Sequence, residues 1–188
     1  EAMAAYRGLQ HAAAAEGGGY SRRDSGGEGP VSEGGWMKVV RATTEHLAQA
    51  MALAMKFVKE CPFQELVPKS IADEKEAFDA LGAMINNGIV LLAIHDDGRA
   101  VGIIGGYVTS WWWKSAAKIA MEMLWYVEPT ARGGRAAIVT LNAFEQAGKE
   151  AGAGWTMMQA GVVEDAVAKR VLQKRGYQVQ GPICIKEL

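Results

Sequence analysis

The stretch from Val127 to Ala137 reads VEPTARGGRAA and is the most informative part of the sequence. The residues before it, from Met121 onward, are mostly apolar and favour a strand, whereas apolar residues return at helical spacing after Ala136. The stretch is therefore a turn from a strand into a helix. Its small residues let a ligand approach the backbone closely, and the free N–H groups of the first helical turn favour an anion there.

Two arginine side chains in this turn make a phosphate the expected ligand. Arg132 and Arg135 can form charge-assisted hydrogen bonds with phosphate oxygens. No Gly-Lys-Ser/Thr sequence follows, so the turn is not a P-loop, and it lacks the three-glycine spacing of a dinucleotide fingerprint. The alternative is a turn whose small residues serve packing alone. We predict a pyrophosphate site formed by Arg132, Gly133, Gly134, Arg135, Ala136 and Ala137.

The rest of the folded region alternates between short strands and amphipathic helices. Apolar runs bounded by Gly, Pro, Asn or Asp predict strands, and apolar residues three or four apart predict helices. The predicted strands span residues 38–42, 89–94, 101–109, 121–127, 155–162 and 179–186, and the predicted helices span residues 45–59, 73–85, 136–152 and 165–175. This order predicts an α/β (α+β) fold, in which helices cover the faces of a mixed sheet.

Residues 1–36 differ in composition from the remainder of the chain. They are rich in glycine and alanine, and residues 17–19 are all glycine. Such a segment buries too little apolar surface to offset the entropy of ordering, so we predict a flexible N-terminal extension or linker. The extension is a candidate contact for another protein, and residues 37–188 form the predicted domain.

Composition argues against several classes of function. The chain has 188 residues and a formal net charge of -1, which gives no support to non-specific binding of nucleic acid. No apolar run approaches the roughly 20 residues that span a bilayer, and no signal-peptide pattern is evident. Cys61 and Cys184 lack metal-ligand spacing, so no metal site is predicted. We expect a soluble, cytoplasmic protein.

The turn resembles the cofactor motif of the GNAT N-acetyltransferase superfamily. That family has a strand ending in Val-x-Pro, followed by Arg/Gln-x-x-Gly-x-Gly/Ala at the start of a helix, and Val127, Pro129, Arg132 and Ala137 match this pattern. Arg135 replaces the middle glycine, which resembles a branch often found in phage genomes; for such a member the location would be the host cytoplasm. A later family motif, with Asp in place of its Asn, is matched in part by Asp165, Ala168, Val171, Lys174, Gly176 and Tyr177.

The resemblance covers residues 37–188 and implies a twisted, mostly antiparallel sheet of about six to seven strands flanked by about four helices. It implies acetyl-CoA as the cofactor and direct transfer of the acetyl group to a primary amine in a ternary complex. The pantetheine arm would pair with the backbone of Trp125 and Val127, where strand 121–127 parts from the strand that begins at Trp155, and Asp165 would adjoin the cofactor. A homodimer is compatible with the resemblance.

Glu122 is the candidate general base of such a transfer. Strand alternation predicts that Glu122, Leu124 and Tyr126 share one face of an otherwise apolar strand, and partial burial of a glutamate favours its role as a proton acceptor. The alternative is a structural pair with Lys or Arg. Where the family usually offers a Tyr as general acid, this chain has Leu172, so no side-chain acid is identified. Glu128 is predicted to be a loop carboxylate rather than a base.

Three consecutive tryptophans, Trp111, Trp112 and Trp113, cannot all face one core across a pleated strand. At least one should be exposed, and exposed aromatic side chains tend to mark contact sites. We predict that they line the acceptor pocket or a dimer contact, with core packing as the alternative. Trp125 and Trp155 are predicted to lie in the core.

The sequence does not identify the acceptor, for which a small-molecule amine and a peptide amine both stay open. The leading hypothesis is an N-acetyltransferase. The alternative is a CoA-binding module, weakly active or inactive, that is attached to a larger phage-type assembly, since Arg135 and Leu172 depart from the family pattern. A structural α/β domain without a nucleotide ligand is the third hypothesis.

Overall fold

The computed structural model describes residues 37–60, 74–111, 113–158 and 166–178. The described residues form one sheet with helices on both of its faces. The predicted extension 1–36, the predicted strand 179–186, Trp112, Asp165 and both cysteines lie outside the described residues.

The sheet has five strands in the described ranges: β1 Lys38–Arg41, β2 Ile89–Ile94, β3 Ala100–Trp111, β4 Lys114–Val127 and β5 Trp155–Met157. They lie in the order β1-β2-β3-β4-β5; neighbours from β1 to β4 are antiparallel, and β5 is parallel to β4. The mixed, mostly antiparallel sheet is therefore confirmed. The predicted count of six to seven is higher, in part because the last predicted strand lies outside the described residues.

The described ranges contain four helices: α1 Leu47–Glu60, α2 Glu74–Asn87, α3 Ala136–Glu150 and α4 Ala166–Lys174. Every end of these helices lies within two residues of its predicted position. The chain enters α1 through a 3-10 turn at Thr44–His46, where the backbone N–H of Thr43 donates to Nδ1 of His46 over 3.2 Å. Measured by length and apolar content, none of the described helices could cross a membrane.

Helices α1 and α2 cover one face of the sheet, and α3 covers the other. In β2, Val90, Leu92 and Ile94 pack with α1 and α2, whereas Ile89 and Leu91 pack with α3. Because successive strand side chains point to opposite faces, a strand that is covered on both sides is apolar throughout. All six residues of β2 are buried, and its bounds agree with the prediction.

The β3–β4 hairpin is longer than the sequence indicates. Trp111 pairs with Lys114, and β4 begins at residue 114 rather than at the predicted residue 121. Most residues near this end of the hairpin are exposed. An exposed segment lacks the apolar alternation that signals a strand, so its pairing depends on backbone hydrogen bonds that sequence patterns do not report.

Candidate functional site

The predicted pyrophosphate turn lies between the end of β4 and the start of α3. A 3-10 turn at Pro129–Ala131 follows Val127, and Gly133 has a φ of +81°, which L side chains rarely adopt. Residues 132–135 are exposed, whereas Ala136 is fully buried against the sheet. The turn is therefore anchored at its helix end and open to solvent in its middle.

The N-terminus of α3 has no capping side chain within the described residues. Arg135 occupies the N-cap position without a side-chain cap hydrogen bond, and the first turn contains no acidic residue. The N–H of Val139 makes the first helical hydrogen bond, to the Arg135 carbonyl at 2.9 Å, so the N–H groups of Ala136, Ala137 and Ile138 precede it. Such groups, at the positive end of a 15-residue helix, favour an anion.

The corner beside this helix end is open in the described part of the chain. A Cβ built on Gly133 would meet no atom within 4 Å, and one built on Gly134 would meet only the carbonyl oxygen of Ala131, at 3.3 Å. No described side chain therefore keeps a ligand from the backbone of these two glycines.

The two arginines of the turn have different surroundings. Arg132 is engaged within the chain: its Nε donates to the Val127 carbonyl at 2.9 Å, its Nη2 contacts the Glu60 carboxylate, and its guanidinium lies 5.4 Å from the centroid of the Tyr126 ring. Arg135 is exposed, and its side chain makes no hydrogen bond or ion pair with the rest of the described chain. Of the two guanidinium groups, that of Arg135 is the one free to meet a phosphate.

In the described ranges, β5 covers only part of the edge of β4. β5 pairs with β4 from Ile119 to Met121, and in the described ranges the two strands do not pair beyond Met121. The edge of β4 from Glu122 to Val127 thus carries backbone groups that an extended ligand can pair with. The sequence predicts the pantetheine arm at this edge.

A β-bulge interrupts β4 beside the candidate base. Gly105 pairs with Leu124 and Gly106 pairs with Glu122, so Met123 is an extra residue in β4. Met123 is 48% exposed, whereas Glu122 is 1% exposed. Bulges of this kind redirect side chains and are frequent beside active sites.

The bulge changes the predicted arrangement of side chains on β4. Leu124 and Tyr126 pack together with α1 and α2, whereas Ala120 packs with α3. The predicted common face therefore holds for Leu124 and Tyr126. The extra residue breaks the regular alternation between this pair and Glu122, because side-chain direction in a strand depends on an unbroken period of two.

Trp125 is buried, as predicted, and packs with Leu141 and Phe144 of α3. Its indole Nε1–H is buried and has no hydrogen-bond partner in the described structure. A buried donor without an acceptor costs about 1–3 kcal/mol, and such groups in folded proteins call for an explanation. A ligand acceptor at the edge of β4 would provide one.

A carboxylate network at the start of the turn was not predicted. Glu128 is buried, and its carboxylate oxygens lie 2.5 Å from Nζ of Lys56 and 2.6 Å from Nη1 of Arg99. Its backbone N–H donates to the Val101 carbonyl at 2.9 Å. Glu128, predicted to be a loop carboxylate, is thus buried and paired with two cations. Lys56 and Glu128 are 72 residues apart, so no local pattern reveals their pairing.

Glu60, the last residue of α1, joins two residues of the site that the sequence treats separately. Its Oε1 accepts a hydrogen bond from the Tyr126 hydroxyl at 2.7 Å, and its Oε2 contacts Arg132. Partial burial acts to raise the pKa of Glu60, but the hydrogen bonds from Arg132 and Tyr126 outweigh it and hold the pKa below 4.5. Burial, together with the Glu60 contact, raises the pKa of Tyr126. The Tyr126 hydroxyl is thus committed to Glu60.

The tryptophan run lies at the end of the β3–β4 hairpin. The rings of Trp111 and Trp113 are 4.6 Å apart, and Trp113 is 61% exposed, which confirms that at least one of the three faces solvent. Lys114, at this end of β4, is eight residues from Glu122, or roughly 26 Å along an extended strand. Trp111 and Trp113 are therefore distant from Glu122 along β4.

Trp155 is 57% exposed, so the prediction that it lies in the core is wrong. It occupies β5, which is at the edge of the described sheet. A strand side chain at an edge is buried only when another element covers it, and an apolar residue type does not report such a cover.

Two residues of the later family motif pack on the α3 side of the core. Leu172, at the position of the usual Tyr, and Tyr177 are both partly buried there. The Tyr177 hydroxyl donates to Oε1 of Glu145 at 2.9 Å, and burial with this hydrogen bond raises the pKa of Tyr177. Tyr177 has the packing position that the sequence suggests.

Neither a protein-family model nor a curated protein sequence matches the chain. Several solved structures, however, are similar to the chain. The aminoglycoside N-acetyltransferase AAC(6')-Iy in complex with CoA has 14% sequence identity and a TM-score of 0.66, over 84% of this chain and 98% of that one. A predicted acetyltransferase with acetyl-CoA from Clostridium acetobutylicum has 15% identity and a TM-score of 0.64, over 81% and 96% of the two chains. A Trypanosoma brucei acetyltransferase has 12% identity and a TM-score of 0.62, over 81% and 99%.

The similarity extends over nearly the whole length of each of these structures, at low sequence identity. It therefore concerns the arrangement of strands and helices rather than particular side chains. The chain has the fold of the GNAT acetyltransferases.

Proposed function

We propose that this protein is an acetyl-CoA-dependent N-acetyltransferase, which moves the acetyl group directly to a primary amine in a ternary complex. The observation that carries the proposal is the open turn between β4 and α3, because exposed glycine backbone and uncapped helical N–H groups meet at one corner. The acetyltransferase fold supports the same function.

The residues of this corner fit a CoA group. Its phosphates would meet the N–H groups of Ala136 and Ala137 and the guanidinium of Arg135. The extended pantetheine arm would pair with the β4 edge at Trp125 and Val127, and the Trp125 indole N–H would gain an acceptor. The hydrogen bond from Arg132 to the Val127 carbonyl does not prevent that carbonyl from also pairing with the pantetheine arm, since a carbonyl oxygen has two lone pairs. Asp165 stays a predicted neighbour of the cofactor.

The acetyl donor would supply a thioester carbonyl that is open to attack by an amine. We assign the proton acceptor to Glu122, which is buried in the strand that borders the open edge. A backbone N–H of β4 near Trp125 would donate to the carbonyl oxygen as negative charge develops on it. As the new C–N bond forms, the C–S bond of the thioester would break, and CoA would leave as a thiolate that takes its proton from solvent. Glu128 and Tyr126 are held in structural contacts and take no part in this scheme.

Substitution Glu122→Gln tests the assignment, since it keeps the shape of the side chain and removes the base. We expect thiol release from acetyl-CoA in the presence of an amine acceptor, with a kcat that falls by about 10²- to 10⁴-fold in the variant while KM for acetyl-CoA changes little. Glu150→Gln, at an exposed end of α3, is the matched control and should keep the wild-type rate. Equal kcat values in wild type and Glu122→Gln would rule out Glu122 as the base.

A CoA-binding module with little or no activity is the second candidate. Leu172, packed in an apolar cluster where the family usually has a Tyr, favours it. Binding of CoA without thiol release across a broad amine panel would support this candidate over the enzyme.

We infer that the acceptor is a small-molecule or peptide amine. The matched AAC(6')-Iy is an aminoglycoside N-acetyltransferase, which supports aminoglycosides as the first part of an amine panel. Peptides with free lysine side chains or N-termini form the second part. A higher kcat/KM for the aminoglycosides or for the peptides would decide between the two classes of acceptor.

A further inference from the structure

The proposed phosphate-binding turn, residues 128–135, has few contacts within itself that could fix its conformation. Gly133 and Gly134 are adjacent, and residues 132–135 are exposed. Glycine has the largest conformational freedom of any residue, so ordering this turn is costly in entropy. Buried groups fix its two ends, at Val127 and at Ala136. Its middle depends on side chains that come from elsewhere in the chain.

The last turns of α1 supply these side chains at two points. Lys56 contacts Glu128 at 2.5 Å, and Glu60 contacts Arg132. Lys56 and Glu60 are four residues apart and therefore lie on one side of α1. Glu128 and Arg132 are also four residues apart, so the two pairs form side by side.

The charges of the two pairs are crossed. α1 presents a cation and then an anion, whereas the turn presents an anion and then a cation. A shift of the turn by one helical step would bring Lys56 against Arg132, or Glu60 against Glu128. Since like charges repel, the crossed arrangement allows only one register between α1 and the turn.

Further contacts tie the Arg132 guanidinium to β4. Its Nε donates to the Val127 carbonyl at 2.9 Å, its planar group lies over the Tyr126 ring, and the Tyr126 hydroxyl donates to Glu60 at 2.7 Å. Planar guanidinium groups suit such combined stacking and hydrogen bonding. These contacts hold the middle of the turn close to the end of β4. The Arg135 side chain, by contrast, makes no hydrogen bond or ion pair with the other described residues.

We propose that Lys56 and Glu60 are positioning residues, which hold the turn of residues 128–135 through the crossed ion pairs with Glu128 and Arg132 in the conformation that binds the phosphates of the cofactor. This ionic clamp rests on the proposed function. It gives Arg132 the task of bracing the turn and leaves Arg135 to meet the ligand.

Charge exchange between Glu60 and Arg132 tests the ionic clamp. We expect Glu60→Gln to raise the Kd for CoA about two- to fivefold, the range of a partly exposed ion pair, and Glu60→Arg to raise it roughly tenfold or more, because two cations then meet. The double variant Glu60→Arg/Arg132→Glu restores the ion pair but not the contacts of Arg132 with Val127 and Tyr126, so it should recover part of the affinity that Glu60→Arg loses. Asp79→Asn, which removes an exposed ion pair on α2, is the matched control and should bind as the wild type does.

Two further measurements separate positioning from general destabilisation. In enzyme assays the single Glu60 variants should raise KM for acetyl-CoA and leave kcat and the acceptor KM nearly unchanged. In the protein without ligand, amide hydrogen exchange at residues 130–137 should become faster in the single variants, return toward wild type in the double variant and stay unchanged in Asp79→Asn.

Tighter CoA binding in Glu60→Gln would overturn the proposal, since it would mean that Glu60 holds Arg132 away from the phosphates. A double variant that binds no better than Glu60→Arg would overturn it as well. If the wild type binds no CoA, the proposed function fails. The exchange measurement then still decides whether the ionic clamp orders the turn.

Discussion

At the scale of single residues, Gly106 determines whether β4 can carry its bulge beside Glu122. A Cβ on Gly106 would lie 2.0 Å from the Met121 carbonyl oxygen and 3.0 Å from the Cα of Glu122. Both atoms belong to the backbone of the neighbouring strand, so neither can move aside as the end of a flexible side chain can. The glycine is thus needed for the close approach of β3 and β4 at the bulge.

Gly106→Ala should therefore lower the free energy of unfolding by about 1–3 kcal/mol, the usual range for an overpacked core position. Chemical unfolding measures this change. Gly154→Ala is the matched control, because a Cβ there would meet no atom within 4 Å, and its effect should stay within about 0.5 kcal/mol. If the two variants were equally stable, the strands would have to separate at the bulge more easily than the structure indicates.

Residue-scale features of the site were only partly predictable. The residue types of the turn indicate an anion site because glycine, alanine and arginine have properties that do not depend on their neighbours. The different surroundings of Arg132 and Arg135 could not be foreseen, since only the folded chain brings Glu60 to one of them and not to the other.

At the scale of elements, the contact between α1 and the turn depends on pH. The pKa of Glu60 lies below 4.5 in the folded protein, because hydrogen bonds from Arg132 and Tyr126 outweigh the effect of partial burial. A carboxyl group with a depressed folded-state pKa stabilises the protein above its unfolded-state pKa. The contribution is lost as the pH falls from about 4.5 through the folded-state value.

We therefore expect the free energy of unfolding of the wild type to fall more steeply than that of Glu60→Gln as the pH is lowered below about 4.5. At neutral pH the difference between the two proteins should be constant. Urea unfolding at a series of pH values measures this difference. Subtracting one curve from the other cancels the contributions of the other carboxylates. Parallel curves through the acid range would show that Glu60 gains nothing from its contacts in the folded state.

Elements were predicted well where a local pattern marks them. The strand Ile89–Ile94 is six apolar residues between an Asn-Asn-Gly and an Asp-Asp-Gly sequence, and its predicted bounds are correct. The first seven residues of β4 were missed, since four of them are exposed, including the first three, and the buried ones are too few to give a clear apolar period. For the same reason, the sequence predicted a loop around Trp111 where the structure has the end of the β3–β4 hairpin.

At the scale of the whole molecule, β4 is shared between two cores. Its Leu124 and Tyr126 pack with α1 and α2, and its Trp125 packs with α3. A ligand that pairs with the edge of this strand and with the end of α3 would therefore stabilise both faces at once. Binding should be visible as stabilisation of the entire fold.

CoA at a hundredfold excess over its Kd should add about 2.7 kcal/mol to the stability, or roughly 5–10 °C in the thermal midpoint for a domain of this size. Pantetheine, which lacks the diphosphate, should give a smaller shift at equal concentration, because it leaves the α3 N-terminus unused. A midpoint that does not move with CoA would favour the third hypothesis, a structural domain without a nucleotide ligand.

Residue types and their spacing were enough to predict the order of the elements, the apolar faces of the helices and a strand-to-helix turn at Val127–Ala137 whose composition indicates an anion site. These features follow from residue types and from periods of two or 3.6, which act over a few neighbouring residues. The bulge at Met123, the exposure of Trp155 and the two ion pairs between α1 and the turn became visible in the folded chain alone. Each of these depends on which distant residues meet, across 72 positions in the two ion pairs of the clamp, and no local period encodes such a meeting.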